Sequence, residues 1–163
     1  MTEIWKPIEN YETYSVSTFG QVRNDTTGRI LKGYSNNKGR QYVDIYRNEI
    51  KSRFYIHRLV GFAFIKNSEN KKQIDHIDNN PLNNNLTNLR WATNYENQSN
   101  TRMQINNKSG VKGVCWNPIN KNWRARIINK DIGSYNTIEE ATLARQTRAN
   151  ELFGSFTNCC EKL

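Results

Sequence analysis

The chain has 163 residues, of which 36% are hydrophobic, and its 24 Lys and Arg against 15 Asp and Glu give a net charge of +9. With a mean hydropathy of −0.88 and a pI near 9.6, no apolar run reaches the length of a membrane span, and any core must be modest. A field of this sign favours a polyanion, nucleic acid ahead of an anionic membrane. Four Trp, eight Tyr and six Phe argue against a disordered chain.

The opening "MTEIWKPIEN" lacks a secretory leader's apolar stretch. Three cysteines (Cys115, Cys159, Cys160) make neither a disulfide framework nor a Cys₄ zinc site, and an odd count suits a reducing cytosol. Charge is unevenly placed. Residues 1–50 carry seven basic and six acidic side chains, whereas 101–130 carry seven basic ones and no acid. Clustering of one sign marks a phosphate-facing segment.

To about residue 50 the chain reads as short strands and turns. "YSVSTFGQVRN", "GRILKGY" and "QYVDIYR" alternate with a short period and predict a small antiparallel sheet. In "YIHRLVGFAFI" (55–65) the period changes, with Ile56, Leu59, Val60, Ala63 and Phe64 on one helical face. His57 lies beside that stripe and reads as a hydrogen-bonded structural histidine. A polar turn follows, then a strand "QIDHID", an asparagine-rich loop "NNPLNNN" and a second strand "NLRWAT". The Thr-x-x-Glu of "TNYE" (93–96) is a capping box that opens a helix.

Residues 101–108 are polar, lack periodicity and read as a linker. "GVKGVCWNP", "NWRARIIN" and "KDIGSY" predict three more strands. A second capping box, "TIEE" (137–140), opens a helix through about Leu152, with Gly154 placed to end it.

The middle stretch thus reads strand, loop, strand, helix, with Asp75 and His76 on the first strand. Hydrolysis of a phosphodiester needs a base to activate water and a cation to stabilise charge on the phosphate. A histidine titrating near neutrality suits the first task, and oxygen ligands suit a hard divalent cation for the second. As neighbours on a regular strand Asp75 and His76 point to opposite faces, so a bulge or a strand end must re-aim one of them.

Residues 54–100, "IHRLVGFAFI…IDHIDNNPLNNNLTNLRWATNYENQSN", resemble the HNH endonucleases, in particular their phage and intron-encoded homing branch. The resemblance implies a ββα-metal core with His76 as general base, Asp75 as metal ligand, and Asn88 fixing the loop and orienting the His76 ring. The second protein ligand falls on the helix, best matched by Asn97, with Asn94 and Asn100 as alternatives. It also implies one divalent ion, Mg²⁺ with Mn²⁺ as the alternative. Asp78 reads as a turn residue, Arg90 as a phosphate contact and Trp91 as hairpin core.

"IWKPIENYETYSVSTFGQVRN" resembles the nuclease-associated modular domain that precedes such cores. "SGVKGVCWNPINKNWRARI…GSYNTIEEATLAR" is similar to the Apetala2-type DNA-binding domain, which implies DNA contacts by Lys112, Trp116, Arg124 and Arg126. Cys115 departs from that pattern, because the plant domains carry arginine there.

The expected architecture is therefore α+β in three small modules. These are a β-rich module (1–50), a ββα-metal nuclease core (51–100), and a three-stranded antiparallel sheet packed on one helix (109–156). The expected function is a metal-dependent, site-specific DNA endonuclease of the homing type. It would act as a monomer on double-stranded DNA, without a membrane, in the cytoplasm of a bacterial host or phage-infected cell. The alternative is a catalytically silent DNA-binding regulator of the same fold.

Overall fold

The computed structural model describes residues 2–158; Cys159 and Cys160 lie outside them. The chain divides into two compact units, 1–92 and 93–163.

In the first unit β1 (Trp5–Ile8), β2 (Tyr11–Ser17) and β3 (Val22–Asn24) form one antiparallel sheet, and β4 (Tyr34–Ser35), β5 (Gln41–Arg47) and β6 (Ile50–Tyr55) form another. Two sheets therefore stand where the sequence predicts one. Its alternation misses β1, because Pro7 breaks the strand signal, yet β1 is an edge strand where a missing N–H is tolerated. It misses β6 because the β5–β6 turn, Asn48-Glu49, reaches φ of 49° and 66° without a glycine. Such a two-residue turn with both φ positive matches the twist of a hairpin.

α1 (Ile56–Phe64) follows β6 directly. Ile56, Leu59 and Val60 bury its predicted stripe, and the helix touches β1, β2, β5, β6 and the hairpin of β7 (Gln73–His76) and β8 (Leu89–Ala92). Gly61 lies so close to β7 that a Cβ there would meet Ile74 Cδ1 at 2.0 Å. The result is one apolar core running from Ile8, Tyr14 and Val16 through Val43 and Ile45 to Ile74, Leu89 and Trp91. The expected boundary at 50/51 falls inside a continuous hairpin over this shared core.

The second unit starts at the capping box. Thr93 accepts from the Glu96 amide and Glu96 accepts from the Thr93 amide, opening α2 (Asn94–Asn100). Ser99 and Asn100 are buried in this unit, and the Asn158 side chain donates to the Asn100 carbonyl at 2.6 Å. Here α2, expected as part of the nuclease core, groups with the C-terminal residues. β9 (Val114–Asn117), β10 (Asn122–Ile127) and β11 (Lys130–Tyr135) form an antiparallel sheet in the order β11-β10-β9. α3 (Ile138–Phe153) packs on all three strands around Val114, Ala125 and Ala141. The Thr137–Glu140 capping box opens it, and Gly154, at φ 48°, ends it.

A shared core makes a direct prediction. Ile45 is fully buried, and Ile→Ala in a core costs about 2–5 kcal/mol. Ile45→Ala should accelerate amide hydrogen exchange in β7 and β8 as much as in β5. Protection lost in β5 alone would mean that the hairpin is stable by itself.

Candidate active site

The β7–β8 register pairs Ile74 with Trp91, Asp75 with Arg90 and His76 with Leu89. Trp91 is core, as expected, and its Nε1 donates to the Ile65 carbonyl at 2.9 Å. Asp75 is only 4% exposed. Its Oδ2 takes Arg90 Nε at 3.0 Å and Nη2 at 2.9 Å. Removing a carboxylate from water is costly unless it is paired, and Arg90 supplies the pair. The expected phosphate contact is therefore a cross-strand partner of the expected metal ligand.

His76 is the last residue of β7, where the chain turns as its carbonyl accepts from the Asn79 amide at 2.9 Å. The β7–β8 pairing is regular, without a bulge, and His76 stands at the end of the strand. Asn84 Oδ1 lies 3.1 Å from His76 Nε2. Asn84 was not foreseen as a site residue. It stands among three consecutive asparagines in a chain with 25 of them, and nothing in the sequence separates it from its neighbours.

Asn88 does the loop-fixing half of its expected task. Its Nδ2 donates to Asp78 Oδ1 at 2.9 Å and to the Asn83 carbonyl at 2.8 Å, and its Oδ1 accepts from the Asp78 amide at 3.0 Å. Both amide hydrogens are spent on the loop, and a hydrogen bond joins His76 Nε2 to Asn84 Oδ1. Asp78 is the turn residue it was expected to be. Burial opposes its charge, but hydrogen bonds from the Asn80 amide, Asn83 and Asn88 outweigh that cost and, helped by His76, hold its carboxyl below the usual range.

His57 departs from expectation. It is buried, but its Nδ1 has no hydrogen-bond partner. Its ring packs 5.1 Å from that of His76 and 5.6 Å from that of Tyr55. Burial first, then His76, Arg40 and Arg58, push its pKa down to about 3, so it is a neutral ring at any neutral pH.

Asn97 lies on α2 in the second unit, partly buried, with Asn94 exposed and Asn100 buried. Among the described residues no group of three or more His, Cys, Asp or Glu is gathered as a metal site. The expected ligands are the Asp75 carboxylate, in the first unit, and the Asn97 amide, in the second. This donor chemistry fits a hard divalent cation.

The other expected DNA contacts are also in the second unit. Lys112 donates its ammonium to the Ser99 carbonyl. Trp116 is 47% exposed and packs edge-on against Trp123 at 5.3 Å between ring centres. Arg124 and Arg126 share Asp131, one on each carboxylate oxygen.

Residues 54–99 match the HNH endonuclease family model, and residues 3–46 match the NUMOD4 motif. Residues 54–99 are an HNH endonuclease segment. It is 39% identical over 100 residues to uncharacterized HNH endonuclease L245 of Acanthamoeba polyphaga mimivirus, covering 61% of this chain and 30% of that one. DNA endonuclease I-HmuI of Bacillus phage SP01 is 38% identical over 98 residues, with 58% of this chain and 56% of that one covered. Protein 3.8 of Escherichia phage T7 is 38% identical over 87 residues, 51% of this chain and 71% of that one. A solved structure of DNA binding and cleavage by the HNH homing endonuclease I-HmuI superposes with a TM-score of 0.53 at 36% identity, covering 55% of this chain and 52% of that one. The chain spans under a third of L245 and about half of I-HmuI.

The Asp78 staple has a pH signature. Its folded pKa is depressed, so its contribution is present above the unfolded carboxylate pKa of about 3.9 and is lost as pH falls through the lower folded value. Exchange at the Asp78 and Asn80 amides should rise, relative to the β5 amides, only in that acid window. Asp78→Asn should abolish the pH dependence, and an unchanged profile in that variant would mean another group controls the loop.

Proposed function

We propose that this protein is a metal-dependent, site-specific DNA endonuclease of the homing type. The observation that carries the reading is one pair of side chains. Asp75 is held by Arg90, and His76 is hydrogen-bonded to Asn84 at the adjacent strand end, in a segment that matches the HNH family. His76 is the general base. It takes a proton from water as the water oxygen bonds to phosphorus and the bond from phosphorus to the leaving sugar oxygen breaks. By their resemblance to the HNH family, Asp75 and Asn97 are each proposed as ligands of a divalent ion, Mg²⁺ by preference, which would supply charge neutralisation at the phosphate when bound. Asn97 is preferred over Asn100 because Asn100 is buried against the C-terminal residues.

The functional division we propose is residues 1–50 and 109–156 for DNA contact and 51–100 for cleavage. The reading of 109–156 as an Apetala2-type module is supported by its three-stranded sheet backed by α3 and by two arginines on β10 whose side chains are 42% and 48% exposed. Arg124 and Arg126 are its main phosphate contacts, Trp116 an exposed aromatic that can reach a base or sugar, and Lys112 serves first as a tie to α2. Duplex DNA is the partner, bound by a monomer. No helix among the described residues is long and apolar enough to cross a membrane. The runner-up, a silent DNA-binding regulator, keeps the same contacts without the chemistry, so a cleavage assay separates the two.

His76→Ala should lower the single-turnover cleavage rate by about 10²–10⁴ while DNA affinity stays near wild type, because a base acts on chemistry rather than docking. Cleavage near the wild-type rate would exclude the general-base role.

Replacing both Arg124 and Arg126 with alanine should weaken DNA binding and reduce the log–log salt slope by roughly 2, since each lost phosphate contact removes about 0.9. An unchanged slope, measured by titration between low and physiological salt, would make the C-terminal sheet a structural module.

A further inference from the structure

We infer that Asn84, itself held from the N-terminal strands, sets the orientation and the proton position of the His76 ring, which makes those strands part of the cleavage apparatus. The inference deepens the proposed function and rests on His76 being the base.

Donor and acceptor chemistry around one buried amide carries the argument. Asn84 is 4% exposed. Its Nδ2 lies 2.7 Å from Gln41 Oε1 and 3.5 Å from the Leu82 carbonyl. A backbone carbonyl only accepts, so the NH₂ end of Asn84 faces Leu82 and Gln41, and its oxygen faces His76. That oxygen also only accepts. His76 Nε2, 3.1 Å away, must therefore carry the ring proton. In a neutral ring this leaves the lone pair on Nδ1, the one atom then able to take a proton from water. The neutral His57 ring packed at 5.1 Å restricts the same side chain without adding charge.

What holds Asn84 comes from far away in sequence. Gln41 is the first residue of β5, paired with Ser35 of β4. The turn after β2 presses on Asn84 from another side. Gly20, at φ +78°, comes so close that a Cβ would sit 2.7 Å from Asn84 Cβ and 2.9 Å from its carbonyl oxygen. Beside it the Thr18 carbonyl accepts from the Leu86 amide at 2.8 Å. Only a residue without a Cβ, and comfortable at positive φ, lets this turn close on the nuclease loop. Two of the first unit's hairpins thus converge on the residue that touches the base. Asn84 and Gln41 are positioning residues; neither needs to meet DNA.

The test compares Asn84→Ala, Asn84→Asp and Gln41→Leu with wild type. Three measurements are made: single-turnover cleavage at saturating DNA, DNA affinity, and the imidazole N–H signals of the ¹⁵N-labelled protein. Only two histidines are present, so His76→Ala assigns the spectrum. Misplacement of a catalytic group by about 1 Å can cost about 10²-fold. Asn84→Ala should therefore slow cleavage roughly 10- to 100-fold at unchanged affinity and lose the protected His76 Nε2–H signal. Asn84→Asp, which keeps an acceptor, should retain the signal and recover most of the rate. Gln41→Leu, which leaves Asn84 in place but frees its amide, should give a smaller loss of the same kind. If His76→Ala is inactive while Asn84→Ala and Gln41→Leu cut at full rate, the inference is wrong and the general-base reading stands. Full activity in His76→Ala would overturn the reading on which it rests.

Discussion

Burial of one short helix organises the first unit. α1 has nine residues, too few to be stable alone in water, so it exists because Ile56, Leu59 and Val60 find apolar partners. Each such side chain contributes about 1.5–3 kcal/mol on leaving water. Its partners come from β1, β2, β5, β6 and the β7–β8 hairpin together. A four-residue hairpin is marginal by itself and needs a surface to pack on. The helix supplies that surface, and Gly61 lets Ile74 approach it closely. The β7–β8 hairpin is thereby anchored, through α1, to strands of the N-terminal half of the unit.

On that anchor two polar networks resolve the problem of placing charge and hydrogen-bonding groups in a small protein. Asp75 is almost completely buried, and Arg90 stands directly opposite on β8 to pair with it. The loop between the strands has no apolar core of its own and is held by side-chain amides instead. Asn88, Asp78 and Asn83 satisfy one another in one network. Asn84, Gln41 and His76 form the second. Short asparagine side chains, with donor and acceptor ends, suit such a loop better than long charged ones, which would lose more side-chain entropy.

The second unit is built on a thinner core, with Val114, Ala125 and Ala141 at its centre and Trp123 and Tyr135 packed around them. Its basic residues are not evenly available. Lys112 is drawn to the Ser99 carbonyl, and Arg124 with Arg126 is bridged by Asp131. The Arg124 guanidinium, against the cost of burial and with help from Arg126, keeps the Asp131 carboxyl ionised below its usual range. Phosphate competing for this arginine pair must displace a carboxylate of similar shape, and exposed pairs of this kind contribute little to stability and are readily exchanged.

Much of this was legible in the sequence, where the physics is local. The stripe of Ile56, Leu59 and Val60, the capping boxes at Thr93 and Thr137, the stop at Gly154 and the three C-terminal strands follow from periodicity and short-range hydrogen bonding. So does Trp91 as hairpin core, and the order of residues around Asp75 and His76 carries the family. Tertiary structure decided what depends on partners distant in sequence. Asn84 is one asparagine among 25, and only Gln41, forty-three residues away, singles it out. Arg90 has the look of a phosphate ligand until the β7–β8 register sets it opposite a buried aspartate. The grouping of β-rich residues with the hairpin, and of α2 with the C-terminal sheet, depends on which apolar and amide surfaces meet. A single chain's local pattern contains no record of those encounters.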